Sequence, residues 1–279
     1  MFIWLASYPK SGNTFTRALI ASYFFSKDGN FNFSLIKNIL QFPDLGLFRR
    51  LGVDVKNEKE VIKNYVKVQE SINVKNSVQF FKTHSYLFNI ENNPFTDLNN
   101  SLGVVYIVRD PRNVVLSASR HNQKSHEKTV DDLINGHVLG RNDGTRPTVY
   151  SGSWSGNFNS WKSFQSVNKY LLVKYEDLIN DKEKIFHDIL KFIFKLKKVD
   201  FVLDKKKFQN ALETTDFQNM KKLENEQGFE ESIVDKKTGK KINFFHLGKK
   251  TDWKTSLDIN LQNKLQKVFE KEMIEIGYL

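Results

Sequence analysis

The sequence predicts a single α/β domain in which a central parallel sheet is flanked by helices. Two observations carry that expectation: short apolar runs alternate with longer amphipathic ones, and each apolar run ends in polar or charged residues. The first run, Phe2-Ile3-Trp4-Leu5-Ala6, passes through Ser7-Tyr8-Pro9-Lys10-Ser11-Gly12-Asn13-Thr14 into an amphipathic stretch, a P-loop-like phosphate-binding strand, loop and helix. The 279 residues suffice for one well-buried core and nothing resembling a linker divides them, so we expect one domain over residues 1–279.

Strand 2–7 comes first. Helix 14–24 follows, and its unpaired first-turn N–H groups and positive dipole end favour an anion in the loop. Lys10 adds a full charge, Gly12 lets the backbone approach closely, and Ser11 and Thr14 add hydroxyl donors. Residues 31–52 are apolar but broken by Pro43 and Gly46, which predicts an irregular wall or lid. A helix over 58–68 precedes strands over 78–82 and 103–108. Helix 111–120 has clear N-terminal chemistry, since Asp110 can cap it and Pro111 suits the first turn. Helices over 156–166, 182–194, 205–212 and 260–276 and a strand over 170–174 complete the pattern. Residues 227–250 carry Gly228, Gly239, Gly248 and the run Lys236-Lys237-Thr238-Gly239-Lys240-Lys241; they read as a mobile basic loop or as an ordinary solvated turn. Ligands of open parallel sheets sit outside the carboxyl ends of the strands, so Lys10, Lys82-Thr83-His84, Arg109 and Tyr175 are expected to converge on one crevice.

Lys and Arg number 43 against 32 Asp and Glu, a net charge of +11 that suits an acidic ligand, nucleic acid or an anionic membrane surface. A composition rich in Lys, Asn, Phe and Ile accounts for the same excess as drift. The absence of cysteine excludes disulfides, thiolate catalysis and thiolate metal sites, and is compatible with the cytoplasmic location we expect. Residues 1–6 are too short to span a bilayer, which needs about 20 apolar residues, and no stable membrane insertion is expected. His121 and His126 are five apart and do not share a helical face, so no metal site is expected. The loop differs from the nucleoside-triphosphate pattern: its lysine precedes the glycine, and no glycine stands five positions before Gly12, which argues against a kinase. A nucleic-acid binder would cluster cations and aromatics on one element, whereas the informative cations here are scattered at strand ends.

Four ordered segments resemble the nucleotide-dependent sulfotransferase family of the cytosolic type, which transfers a sulfuryl group from 3′-phosphoadenosine 5′-phosphosulfate (PAPS). Ser7 to Thr14 is similar to the family's 5′-phosphosulfate loop, and Phe81-Lys82-Thr83-His84 to the segment bearing its catalytic base. Arg109 and Ser117, eight apart, resemble its 3′-phosphate site, and Gly248-Lys249-Lys250-Thr251-Asp252-Trp253-Lys254 its C-terminal Gly-x-x-Gly-Asp-Trp-Lys segment. Gly152-Ser153-Trp154, the segment around Tyr175, and Thr215-Asp216-Phe217 fall in the family's order. The resemblance implies His84 as general base toward a hydroxyl or amine of a small-molecule acceptor, Lys10 on the departing nucleotide, and Lys82 on the transferred group. It also implies cofactor contacts from Ser11, Gly12, Asn13, Thr14, Thr215, His246, Leu247 and Gly248, and from Tyr175 beside the nucleotide. Adenine is expected between Phe15 and Phe217, and Trp253 and Met220 in packing. PAPS is the expected donor, without a metal, and nucleic acid is not an expected partner.

Departures accompany the resemblance. His246-Leu247-Gly248 stands where the family has Arg-Lys-Gly, so Lys249 and Lys250 are the remaining local cations, and Thr251 replaces a glycine. An inactive sulfotransferase-like nucleotide binder is therefore one alternative, against which Lys10, Lys82 and His84 argue. Asp258, Ile259 and Asn263 break the family's dimerisation segment, and the proline usual after the histidine is absent from Ser85-Tyr86-Leu87. An apolar acceptor pocket, suited to an aromatic or lipid-like molecule, is expected from residues 31–52, 86–88 and 142–152.

Overall fold

The computed structural model describes residues 1–74, 77–140, 144–246 and 252–279. Leu247, Gly248, Lys249, Lys250, Thr251 and Asn142, on which sequence expectations fall, lie outside the described residues. Five parallel strands form the central sheet: β1 (Phe2–Ser7), β2 (Leu40–Gln41), β3 (Gln79–Thr83), β4 (Ser101–Val108) and β5 (Tyr170–Lys174), in the order β2-β3-β1-β4-β5. The chain moves to one side of β1 for β2 and β3 and to the other for β4 and β5. A crevice therefore opens at the carboxyl ends around β1, where a doubly wound sheet binds its ligand.

The period of two in β1 divides the core. Phe2, Trp4 and Ala6 face one layer, and Ile3 and Leu5 the other. On the first face Trp4 is fully buried among Phe42, Phe81, Phe95 and Trp161, with ring centroids 5.3 to 6.1 Å away. Its indole N–H donates to Ser101 Oγ at 2.8 Å, so the ring is buried without an unpaired donor. The second face is covered by α1 (Asn13–Phe25), by α3 (Lys182–Lys197) through Phe186, Ile189, Leu190 and Ile193, and by α4 (Lys205–Thr214) through Phe208 and Ala211. α2 (Pro111–Asn122) leaves β4 with Asp110 accepting from the Arg112 N–H at 2.9 Å, the cap expected from Asp-Pro. α5 (Phe217–Gln227) follows α4.

Several boundaries differ from expectation. The stretch 58–68 is two helices, Glu58–Lys63 and Tyr65–Ile72, because the Asn64 side chain returns to the Glu60 carbonyl at 2.8 Å. The helix expected over 156–166 starts at Trp154 under a Ser153 cap and tightens to a 3₁₀ turn from Lys162, and the C-terminal one divides at Phe269. Residues 31–52 are more regular than expected: they hold the helices Phe33–Ile36 and Leu45–Arg50, the latter capped by Asp44, on either side of β2. Within 227–250, Ile233–Val234 and Lys241–Ile242 pair antiparallel, and Asp235 accepts from the N–H groups of Lys237 and Thr238 at 2.9 and 2.7 Å. The basic run is thus the turn of a hairpin. Among the described residues no helix is long and apolar enough to cross a membrane.

Candidate active site

Between β1 and α1 the backbone turns twice through the left-handed region, at Lys10 (φ 66°) and Gly12 (φ 101°). Gly12 is the N-cap of α1 and supplies no side chain, so the first-turn amides of the helix stay available at the loop. A Cβ at Gly12 would lie 2.3 Å from Tyr175 Cδ2, which is why a glycine stands there. The same Tyr175 ring carries the Arg109 guanidinium 4.4 Å from its centroid, and Arg109 Nη1 donates to the Lys10 carbonyl at 3.3 Å. The Asn13 amide donates to the Leu5 carbonyl at 2.9 Å and to Ser7 Oγ at 3.2 Å, tying the helix start to the strand end. Ser11 Oγ, Asn13 Oδ1 and Arg109 Nε are buried with no hydrogen-bond partner among the described residues.

β3 delivers Lys82 and His84 beside this loop. His84 Nδ1 lies 2.9 Å from the Ser7 carbonyl, which can only accept, so Nδ1 carries the proton and Nε2 is the basic nitrogen. Burial, reinforced by the Lys82 charge, holds the imidazole pKa well below 6.5 and keeps the ring neutral near pH 7. Lys82 Nζ donates to Gln41 Oε1 at 2.9 Å, and burial lowers its pKa to about 8. Lys10 is lowered to about 8 chiefly by burial, with Glu231 opposing and Arg109, Lys82 and Arg120 adding to the effect. Its ammonium sits 4.0 Å over the Phe244 ring.

These groups line one cavity of about 1080 Å³ that also receives Gly12, Asn13, Thr14, Phe15, Ser117, Tyr175, Phe217 and His246. Ser11 is buried within the loop behind it. Phe15 and Phe217 border the cavity and also pack into an aromatic cluster with Phe31, Phe245 and Met220. Trp253 packs on the Arg112 guanidinium, 3.7 Å from the ring. Two expected groups lie largely outside the cavity. Thr215 does not line the cavity; it is fully buried, with its hydroxyl on the Ala211 carbonyl at 2.6 Å. Among the described residues of the segments expected to form the acceptor pocket, only Arg146 reaches the cavity, because Phe42, Phe48 and Phe88 are buried in the core around Trp4.

Sequence reasoning missed Glu231 and Arg17. Glu231 accepts from Thr14 Oγ1 at 2.7 Å and pairs with Arg17 Nη2. Burial opposes its charge, but Arg17, Lys82 and the two hydrogen bonds outweigh it and lower the carboxyl to about 2. Arg17 stands one turn beyond Thr14 on the same helical face, which a period search could have marked. Arg120 and His121, from the last turn of α2, also line the cavity.

The chain matches a family model described as the sulfotransferase domain over residues 2–277. It is 23% identical to 3-beta-hydroxysteroid sulfotransferase of Cavia porcellus, over 64% of this chain and 59% of that protein. It is 25% identical to Sulfotransferase 1E1 of Homo sapiens, over 97% of this chain and 83% of the relative. Its fold is similar to that of mouse sulfotransferase SULT7A1, solved as a complex with PAP, at a TM-score of 0.62 and 18% identity, covering 99% of this chain and 86% of the other. The family match spans the phosphate loop, the Lys82 and His84 strand end and the Arg109 strand end alike, and the chain belongs to the sulfotransferase domain family.

Proposed function

We propose that the chain, as one domain over residues 1–279, is a PAPS-dependent sulfotransferase acting on a hydroxyl or amine of a small-molecule acceptor. One observation carries this reading. Lys10, Lys82, His84 and Arg109, from the carboxyl ends of three different strands, line a single cavity, and the imidazole there is held neutral with Nδ1 protonated. The donor, when bound, supplies an electrophilic sulfuryl group on a nucleotide leaving group. The residues present fit such an anion: Ser11 Oγ and Arg109 Nε are buried polar groups without a partner among the described residues, beside an open helix start.

Each residue then has a chemical task. His84 Nε2 takes the proton of the acceptor as it attacks, which a neutral imidazole does for about 10² to 10⁴ in rate. Lys10 and Lys82 place positive charge where negative charge grows, Lys10 toward the departing side and Lys82 toward the transferred group. The Arg109 guanidinium, fixed by the Tyr175 ring and the Lys10 carbonyl, offers a planar fork to a phosphate, with Ser117 on the following helix. His246 lines the same cavity as a further polar contact.

Calorimetry with 3′,5′-adenosine bisphosphate (PAP) and with ATP tests the donor. PAP should bind more tightly, and Arg109→Ala should weaken PAP by about 10 to 100-fold while sparing adenosine 5′-phosphosulfate. Preference for ATP would overturn the reading, and equal losses for the two adenylates would remove Arg109 from the 3′-phosphate.

A further inference from the structure

Residues 228–246 run from the end of α5 across the anion loop, and both arms of this segment engage it. On one arm the Glu231 carboxylate takes the Thr14 hydroxyl at 2.7 Å and the Arg17 guanidinium. On the other, the Phe244 ring lies under the Lys10 ammonium at 4.0 Å. The arms are fastened to one buried residue of α5. Glu224 accepts from the N–H groups of Phe244 and Phe245 at 2.6 and 2.9 Å and from Ser232 Oγ at 2.5 Å. Phe229 adds a stacked contact to Phe33 with centroids 4.6 Å apart. Glu231 is thus delivered from a built segment that is anchored on both sides of it.

A carboxylate and a sulfate or phosphate oxygen ask for the same partners: a hydroxyl near a helix start, a guanidinium, and nearby ammonium charge. Glu231 holds two of these directly, and its charge acts on Lys10, Lys82 and His84 as well. Two anions cannot use one set of partners without strong repulsion. We infer that Glu231 is an internal occupant of the donor's anion site, so that donor binding requires it to release Thr14 and Arg17, and that this residue sets the donor affinity. The inference rests on the donor reading above. The observed dissociation constant is then the intrinsic one divided by the fraction of molecules with Glu231 withdrawn.

The test is calorimetry on the full chain with PAP and, in parallel, with inorganic sulfate. Glu231→Gln keeps the size and removes the charge; it should tighten PAP by about tenfold, as it would if about a tenth of wild-type molecules have the carboxylate withdrawn. Glu231→Asp keeps the charge and shortens the reach by one methylene, and should give a smaller gain in the same direction. A purely structural Glu231 would move affinity the other way, because losing it would loosen the loop. If neither wild type nor variant binds PAP, the donor reading fails, and tighter sulfate binding by Glu231→Gln would still support the internal occupant. Unchanged or weaker binding of both ligands in both variants overturns it.

Discussion

His84 and Lys10 are displaced in the same direction by the same cause, and the consequence for each is opposite. Burial disfavours the charged form of both, leaving His84 neutral well below pH 6.5 and Lys10 ready to lose its proton at about 8. Protonating His84 removes a base, so the rate falls as pH falls; deprotonating Lys10 removes a cation, so the rate falls as pH rises. The pH profile of kcat/KM should therefore be a bell with its acid limb below 6.5 and its alkaline limb near 8, read from initial rates in the free-enzyme regime. His84→Ala should lower transfer by about 10² to 10⁴ while PAP affinity stays within a few-fold, and a loss of affinity as large as the loss of rate would take the base role from it. Lys10, Lys82, His84 and Arg109 were legible in the sequence because each follows an apolar run, and a parallel sheet places such residues at one edge. Glu231 was not. Its partners Arg17 and Thr14 lie 214 and 217 residues away, and no local pattern distinguishes it from the exposed Glu230 beside it.

At the scale of elements, the phosphate loop works because a helix begins at a residue with no side chain. Gly12 meets two constraints at once, a φ of 101° and the Tyr175 ring where a Cβ would stand. Gly239, at φ 69° with none of the described residues within 4 Å of its Cβ direction, meets only the first. Gly12→Ala should accordingly cost more in urea unfolding than Gly239→Ala, which should cost about 1 kcal/mol, the excess being the displacement of Tyr175. Because Tyr175 supports Arg109, PAP affinity should fall with Gly12→Ala alone. Equal unfolding costs for the two variants would show that the ring moves aside freely. The element pattern was readable from period and caps for the four long strands and for α2 through Asp110-Pro111. It was less readable where side chains decide local geometry. Asn64 cuts one expected helix into two, and the Ser125 cap opens a helix, His126–Asn135, whose apolar face is carried by only a few residues. Apolar residues 31–52 suggested a wall for the acceptor, yet the Trp4 ring gathers Phe42 and its neighbours into the core, a long-range demand that no window of sequence contains.

For the whole molecule, the cavity that concentrates cations against the sheet also makes folding depend on pH. His84 and His121 both line it, and both have their pKa lowered, chiefly by burial with further repulsion from Lys82 or Lys10; His121 falls to about 4. The folded pKa lies below the unfolded value near 6.5, so between those values the unfolded chain binds protons that the folded chain refuses. Stability is therefore fully present above pH 6.5 and is lost as pH falls from 6.5 toward the folded values. Each fully enclosed imidazole contributes a slope of at most about 1.4 kcal/mol per pH unit, and His121, partly open to solvent, contributes less. Glu231, lowered to about 2, adds a further loss only below about 4.5, in a separate window. Urea unfolding at pH 7, 6, 5.5 and 5 should thus show a decline that begins above the window in which Glu231 contributes. In the double variant His84→Gln and His121→Gln the decline over pH 6.5 to 5 should flatten, whatever its effect on stability at pH 7. A double variant that kept the wild-type slope would mean that these two rings accept protons in the folded state, and the neutral imidazole on which the proposed proton transfer depends would go with it.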